Sequence, residues 1–354
     1  MGTYYIILAL YLIFLDGIDH QEKFLFYLLR GPGVAIILYF TIIFLLNSSN
    51  QKQKKIFFHS LTVVFCGSVL ISSLVAILQA LDIDLFWKLR DFSIGYVEKN
   101  DLVSHSIIER HRPVGLAVNS VELGYQAILA IALLHSKKTR IFYLYLIVIL
   151  IGQAAAGNRS SILTIFIYLI FFRRELKLYV RVSTIIIISA LILTLASERM
   201  YTIDDSALGK AYLIYFGILY FINNPMGSGI TLLDFIEFRD AFSMYTIASS
   251  ETIVTELQRY TPHNQFINTV VIYGVLGAAI LALSILHLFL KKISVNNYWF
   301  DELYALRIGF FLYMINSMVH NAGIFVLEPL IWYFIPFYDK FLLEEKILVS
   351  KETV

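Results

Sequence analysis

The sequence predicts an all-α polytopic membrane protein, and three observations carry that reading. Hydrophobic residues fill 58% of the 354 positions and charged residues only 15%, against roughly half and roughly a quarter in soluble domains. The apolar excess comes in long blocks, as bilayer-crossing helices require. The basic residues gather in the short connections between those blocks. A net charge of +2 leaves no basic surface for nucleic acid. The single cysteine, Cys66, lies inside an apolar block, so no intrachain disulfide can form. The first apolar run, Tyr4 to Leu15, lacks the basic start and small-residue cleavage pattern of a secretory signal.

In chain order the spans read Thr3–Ile18, Gly33–Leu46, Ile56–Leu81, Val114–Leu134, Ile141–Ala156, Ser160–Phe172, Val182–Ala196, Phe266–Leu290, Leu303–Val319 and Ile324–Leu342. That is about ten helices in a single transmembrane domain over 1–354, each weighed against the roughly 20 residues a bilayer needs. The first is weakened by Asp16 near its end, and the sixth is short. Lys52, Lys54 and Lys55, then Lys137, Lys138 and Arg140, then Arg173, Arg174, Lys177 and Arg181, then Lys291 and Lys292 fall on one face, which should be cytoplasmic. The opposite face carries two long loops, 82–113 and a larger one over 198–265 before the eighth span. Within the larger loop, Ala211–Ile222 is apolar and aromatic. As a helix it covers only about 18 Å of a core about 30 Å thick. It is therefore read as an interfacial helix with its tyrosines at headgroup level.

The expected topology collects four polar sites at the outer surface. Arg112-Pro113-Val114-Gly115-Leu116, followed by Asn119, leads into the fourth span. Asn158-Arg159-Ser160-Ser161 makes a tight turn after Gly157. Arg259 through Asn264, with His263 beside Asn264, opens the eighth span. A second His-Asn pair, His320-Asn321, ends the ninth.

Arginine offers a planar fork of donors that grips phosphate oxygens at two points and stays charged at any relevant pH. Arg112, Arg159 and Arg259 sit where a lipid diphosphate would lie, and His263 can take a proton near neutral pH. Other roles fit the same residues. Membrane-edge arginines also anchor helices by snorkelling, and a histidine at a helix mouth also serves as a cap. His320 ends a helix in the same ordinary way. Glu122 and Glu328 lie in apolar context and pair equally well with an arginine. No His/Cys group has zinc spacing. Asp82-Ile83-Asp84 and Asp204-Asp205 read as solvated loop acids rather than a metal site.

At these residues the chain resembles the O-antigen polymerase and O-antigen ligase superfamily of bacterial membrane glycosyltransferases. Arg112 through Leu116 with Asn119 resembles the family's Arg-x-x-Gly-Leu segment. Asn158-Arg159-Ser160-Ser161 resembles its short Ser/Asn-Arg-Ser/Thr turn. His263-Asn264-Gln265-Phe266, with Gly274 and Gly277 downstream, resembles its His-Asn-x-Phe/Tyr helix start after a large periplasmic loop.

The resemblance covers about Arg110 to Leu290. It implies a multi-spanning, GT-C-like architecture in the bacterial inner (cytoplasmic) membrane, with its active site facing the periplasm. The implied activity is inverting transfer of a growing glycan from undecaprenyl diphosphate to a lipid-linked repeat unit, that of an O-antigen polymerase, with no cofactor and no metal. By resemblance Arg112 and Arg159 hold the donor diphosphate, joined by Arg259, which matches no family motif. His263 activates the acceptor, and Asn264, Asn119 and His320 support the site. The partners implied are undecaprenyl-diphosphate-linked glycans and membrane lipid, with room for a chain-length regulator. The ligase, which passes the same glycan to lipid A core, is the nearest alternative. A lipid-linked oligosaccharide translocase is the alternative of another class.

Overall fold

The structure is a computed structural model and describes residues 1–16, 32–94, 113–117, 119–135, 140–173, 205–246, 262, 264–295, 298–320, 325 and 330–352. All regular structure among them is helical. The helices are α1 (Gly2–Asp16), α2 (Val34–Asn47), α3 (Gln51–Ala80), α4 (Asp84–Ile94), α5 (Ser120–Leu133), α6 (Arg140–Ala155), α7 (Arg159–Phe171), α8 (Asp205–Asn223), α9 (Leu233–Thr246), α10 (Gln265–Phe289), α11 (Phe300–Ser317) and α12 (Ile335–Glu352). A 3-10 turn, Leu330–Tyr333, precedes α12. By length and composition, two of these, α3 and α10, suffice to cross a membrane, and the other apolar helices are shorter. The seventh expected span, Val182–Ala196, lies outside the described residues.

The chain divides into two compact units. One comprises Met1–Ser48, Ser189–Tyr298 and Ser317–Val354. The other comprises Ser49–Ile188 and Trp299–Asn316.

The second unit is built around α5. This helix is buried on nearly every side. It packs against α3, α6 and α7. Gly309 of α11 comes close to Leu129 and Ala132, and Tyr313 packs its ring on Tyr125 at 4.5 Å. α3 begins earlier than its apolar run, because Asn50 and Gln53 form a reciprocal capping box, each side chain accepting from the other's backbone N–H at 2.9 Å. Its lysines Lys52, Lys54 and Lys55 therefore belong to the first helical turns rather than to a loop. At the far end of this unit Arg173 is buried. Its Nη1 donates to the His135 carbonyl at 3.0 Å and its guanidinium lies 4.0 Å over the Phe142 ring.

In the first unit α1 packs on α2 and α10, and α2 packs on α12. Trp332 stacks on Tyr5 at 4.6 Å. The hydroxyls of Tyr5 and Tyr273 both donate to the Phe325 carbonyl. The tenth expected span is not one continuous helix. It is divided into the 3-10 turn and α12, where Pro336 sits in the first turn, the one place a missing N–H costs nothing. Lys291, counted in the sequence among the basic residues of one face, is engaged. Its ammonium donates to Nδ1 of His287 at 3.0 Å, and Nε2 of that ring lies 2.7 Å from Asp339.

Candidate functional site

The sequence places Arg112 at the head of a shaped segment, and the described part of that segment is shaped by a residue the sequence does not single out. Gln79, buried near the end of α3, accepts from the N–H groups of Val114 and Gly115 through Oε1 at 3.0 and 2.9 Å. Its Nε2 donates to the carbonyls of Gly115 and Phe86, both at 3.2 Å. Ser72 Oγ accepts from the Leu116 N–H at 2.9 Å. Gly115 has φ +64, and a Cβ there would run into the Ser72 carbonyl, so only glycine fits. The segment is thus a turn, and the fourth expected span becomes helical only at Ser120. Asn119 is the N-cap of α5, with its side-chain oxygen accepting from the Glu122 N–H at 2.9 Å.

The second motif folds onto the same helix. Gly157 turns the chain at φ +62, and Asn158 caps α7. Its oxygen accepts from Ser160 Oγ at 3.0 Å and the Ser161 N–H at 3.3 Å, while its Nδ2 donates to the Ser120 carbonyl. Ser161 Oγ donates to Gln153 at 2.7 Å, and Gln153 donates to the Leu123 carbonyl at 3.3 Å. Gly124 lets this happen, since a Cβ on it would occupy the place of the Asn158 amide. Beneath both turns, Ala76, Ala117, Leu123 and Ala156 form one buried cluster. The two motifs therefore meet at the N-terminal end of α5, and the Arg159 side chain is left exposed. Arg112 itself lies outside the described residues, one position before the buried Pro113.

The third and fourth sites meet in the other unit. Asn264 caps α10, accepting from the N–H groups of Phe266 and Ile267 at 2.9 and 3.2 Å. Its Nδ2 donates to the Met318 carbonyl at 2.9 Å, in the turn that carries half-buried His320. Gln265, Asn268 and Thr269 follow as a buried polar run. His263 and Arg259 lie outside the described residues.

The apolar helix expected from Phe266 onward is interrupted. Gly274 has φ +59 and ψ −148, a conformation open essentially to glycine alone. The segment Pro225–Gly229 inserts at this break. The N–H groups of Ser228 and Gly229 donate to the carbonyls of Val271 and Ile272 at 2.7 and 3.1 Å, and the Pro225 carbonyl accepts from Val275 at 2.9 Å. Backbone groups freed by the break are thus satisfied by protein. A Cβ on Gly274 would collide with the Pro225 carbonyl. The Gly274/Gly277 spacing was the one signal in the sequence. The partner segment reads as a turn, but nothing in the sequence marks it as the partner of Gly274.

Residues 141–282 match a family model described as Wzy_C, O-antigen ligase. The matched stretch includes Asn158, Arg159, His263, Asn264 and Gly274. No curated protein and no solved structure matches the chain.

Proposed function

We propose that this chain, a member of the O-antigen polymerase and ligase superfamily and so of a family of glycosyltransferase-like membrane enzymes acting on lipid-linked glycans, is a surface-polysaccharide polymerase. The donor is a growing glycan on undecaprenyl diphosphate, and the acceptor is a lipid-linked repeat unit at the periplasmic face. Arg112, Arg159 and Arg259 hold the diphosphate oxygens and stabilise the charge that develops as it departs. His263 takes the proton from the acceptor hydroxyl. The hydroxyl oxygen attacks the anomeric carbon from the side opposite the leaving group. The new glycosidic bond forms as the bond to diphosphate breaks, with inversion, and undecaprenyl diphosphate leaves.

The observation that carries this reading is the double anchoring of the Arg159 turn. Asn158 is spent on the backbone of two helices, so it fixes the base of the next residue while leaving that guanidinium exposed at the end of α5. An arginine serving only as an anchor needs no such support. Asn119 and Asn264 act as supporting caps, Asn264 tethering the residue next to His263 to the His320 turn.

The ligase reading keeps the same donor and the same roles, and the matched family is compatible with both. A surface-polysaccharide ladder from a strain lacking the native gene separates the readings. With His263→Ala or Arg159→Ala, a polymerase loses long chains while a single repeat still reaches the lipid A core. If no repeat reaches the core, the enzyme is the ligase. Repeats trapped on the inner leaflet point to transport, and unchanged ladders for both variants remove the assignment of these residues.

A further inference from the structure

The insertion at Gly274 bears on where the large outer loop lies. Gly274 comes nine residues after Gln265, about 14 Å along the helix at 1.5 Å per residue. That is about half of a core about 30 Å thick. α10 is one of the two helices suited to cross the membrane, so a segment docked about 14 Å down it lies well below the headgroups.

α8 reaches that point alongside α10. Gly217 approaches Pro262, Ile267 and Val271, and Gly227 approaches Ile272 and Gly274, so both helices run in the same direction. Leu213, Phe216, Tyr220 and Phe235 share one buried cluster with Val271. After the tip, α9 turns back against α8, with Tyr220 edge-on to Phe235 and Phe238 at 5.6 and 5.5 Å. Ser228 Oγ accepts from the Phe235 N–H at 3.1 Å, joining the tip to α9. α8 has 19 residues, longer than the apolar stretch 211–222 read from sequence.

The two outer faces of this hairpin differ. Along α8 the exposed positions Ala211, Tyr215, Ile218 and Ile222 form an apolar stripe at helical spacing, continued by Met226 at the tip. Along α9 the exposed positions include Asp234 and Glu237. Carboxylates do not face acyl chains at membrane depth unless water reaches them.

We infer that α8 and α9 form a re-entrant hairpin, inserted from the outer side to about the membrane midpoint. Its α8 stripe faces lipid acyl chains and its α9 face borders a water-filled vestibule. This placement replaces the flat interfacial helix expected from length alone.

The test uses the full chain carrying Cys66→Ser, reconstituted in liposomes, with single cysteines introduced as Ile222→Cys or Glu237→Cys. Bimane on the first should be quenched several-fold more strongly by lipid carrying a nitroxide midway along the acyl chain than by lipid carrying it on the headgroup. The second should react with a charged, membrane-impermeant maleimide from the outer side. Stronger quenching by the headgroup nitroxide, or reaction of Glu237→Cys only from the inner side or from neither, would overturn the hairpin. Neither readout uses enzymatic activity, so the outcome stands apart from the glycosyltransferase assignment.

Discussion

The mouths of α7 and α10 are built alike and continue differently. Each opens on an asparagine cap whose oxygen accepts from the first helical turn and whose amide donates to the backbone of another segment, Ser120 for Asn158 and Met318 for Asn264. Each cap stands next to a residue with a proposed role, Arg159 after one and His263 before the other. Below its mouth α7 continues as an unbroken helix. α10 runs only to Gly274 before its ladder is handed to Pro225–Gly229. The contrast shows one arrangement serving two purposes. In the α7 half the support is a saturated set of side-chain hydrogen bonds. In the α10 half it is a backbone interlock between segments some fifty residues apart, which glycine alone allows.

The largest expected effect tests that interlock. Gly274→Val should abolish recovery of monodisperse protein in mild detergent, because a side chain there meets both a forbidden backbone region and the Pro225 carbonyl. Gly157→Ala, at an ordinary left-handed position, should cost about 1–2 kcal/mol and still yield folded protein. Equal behaviour of the two variants would erase the contrast.

Next comes the buried cap. Asn158→Ala leaves a buried carbonyl and an N–H without their partner and should lower stability by about 1–3 kcal/mol, read as a fall in thermal unfolding temperature. Asn264→Ala, less enclosed, should cost about 1 kcal/mol.

Gln79→Leu should act at the α5 end, also by about 1–3 kcal/mol, by orphaning the N–H groups of Val114 and Gly115. Gln79→Glu keeps that acceptor but sets a carboxylate against the Gly115 and Phe86 carbonyls in a buried place, and should lose at least as much. Were Gln79→Glu the milder change, the accepting oxygen would be the important half. The smallest effect belongs to Ser161→Ala, about 1 kcal/mol, from the bond to Gln153.

Much of this was legible beforehand where the signal is local. The apolar blocks give α2, α6 and α7 nearly to the residue, because a helix satisfies its own backbone and needs only an apolar sequence to sit in lipid. The caps at Asn119, Asn158 and Asn264 emerge from the structure, although each asparagine does precede an apolar run. The turn ahead of Asn119 was hidden, because Gln79, which shapes it, lies 35 positions away in an apolar helix. The division of the tenth span was half-marked by Pro336. His263, Arg259 and Arg112 fall outside the described residues.

By itself the sequence determined that the chain is helical, apolar in blocks and carries basic residues in the short connections, because hydrophobicity acts within a few positions. Only the tertiary structure decided which turns share the end of α5, that Lys291 belongs to a His287–Asp339 chain, and that α10 opens at Gly274 to take in a distant loop. Those outcomes depend on hydrogen bonds between groups far apart in the chain, and a backbone donor carries no mark in the sequence of the acceptor it will find.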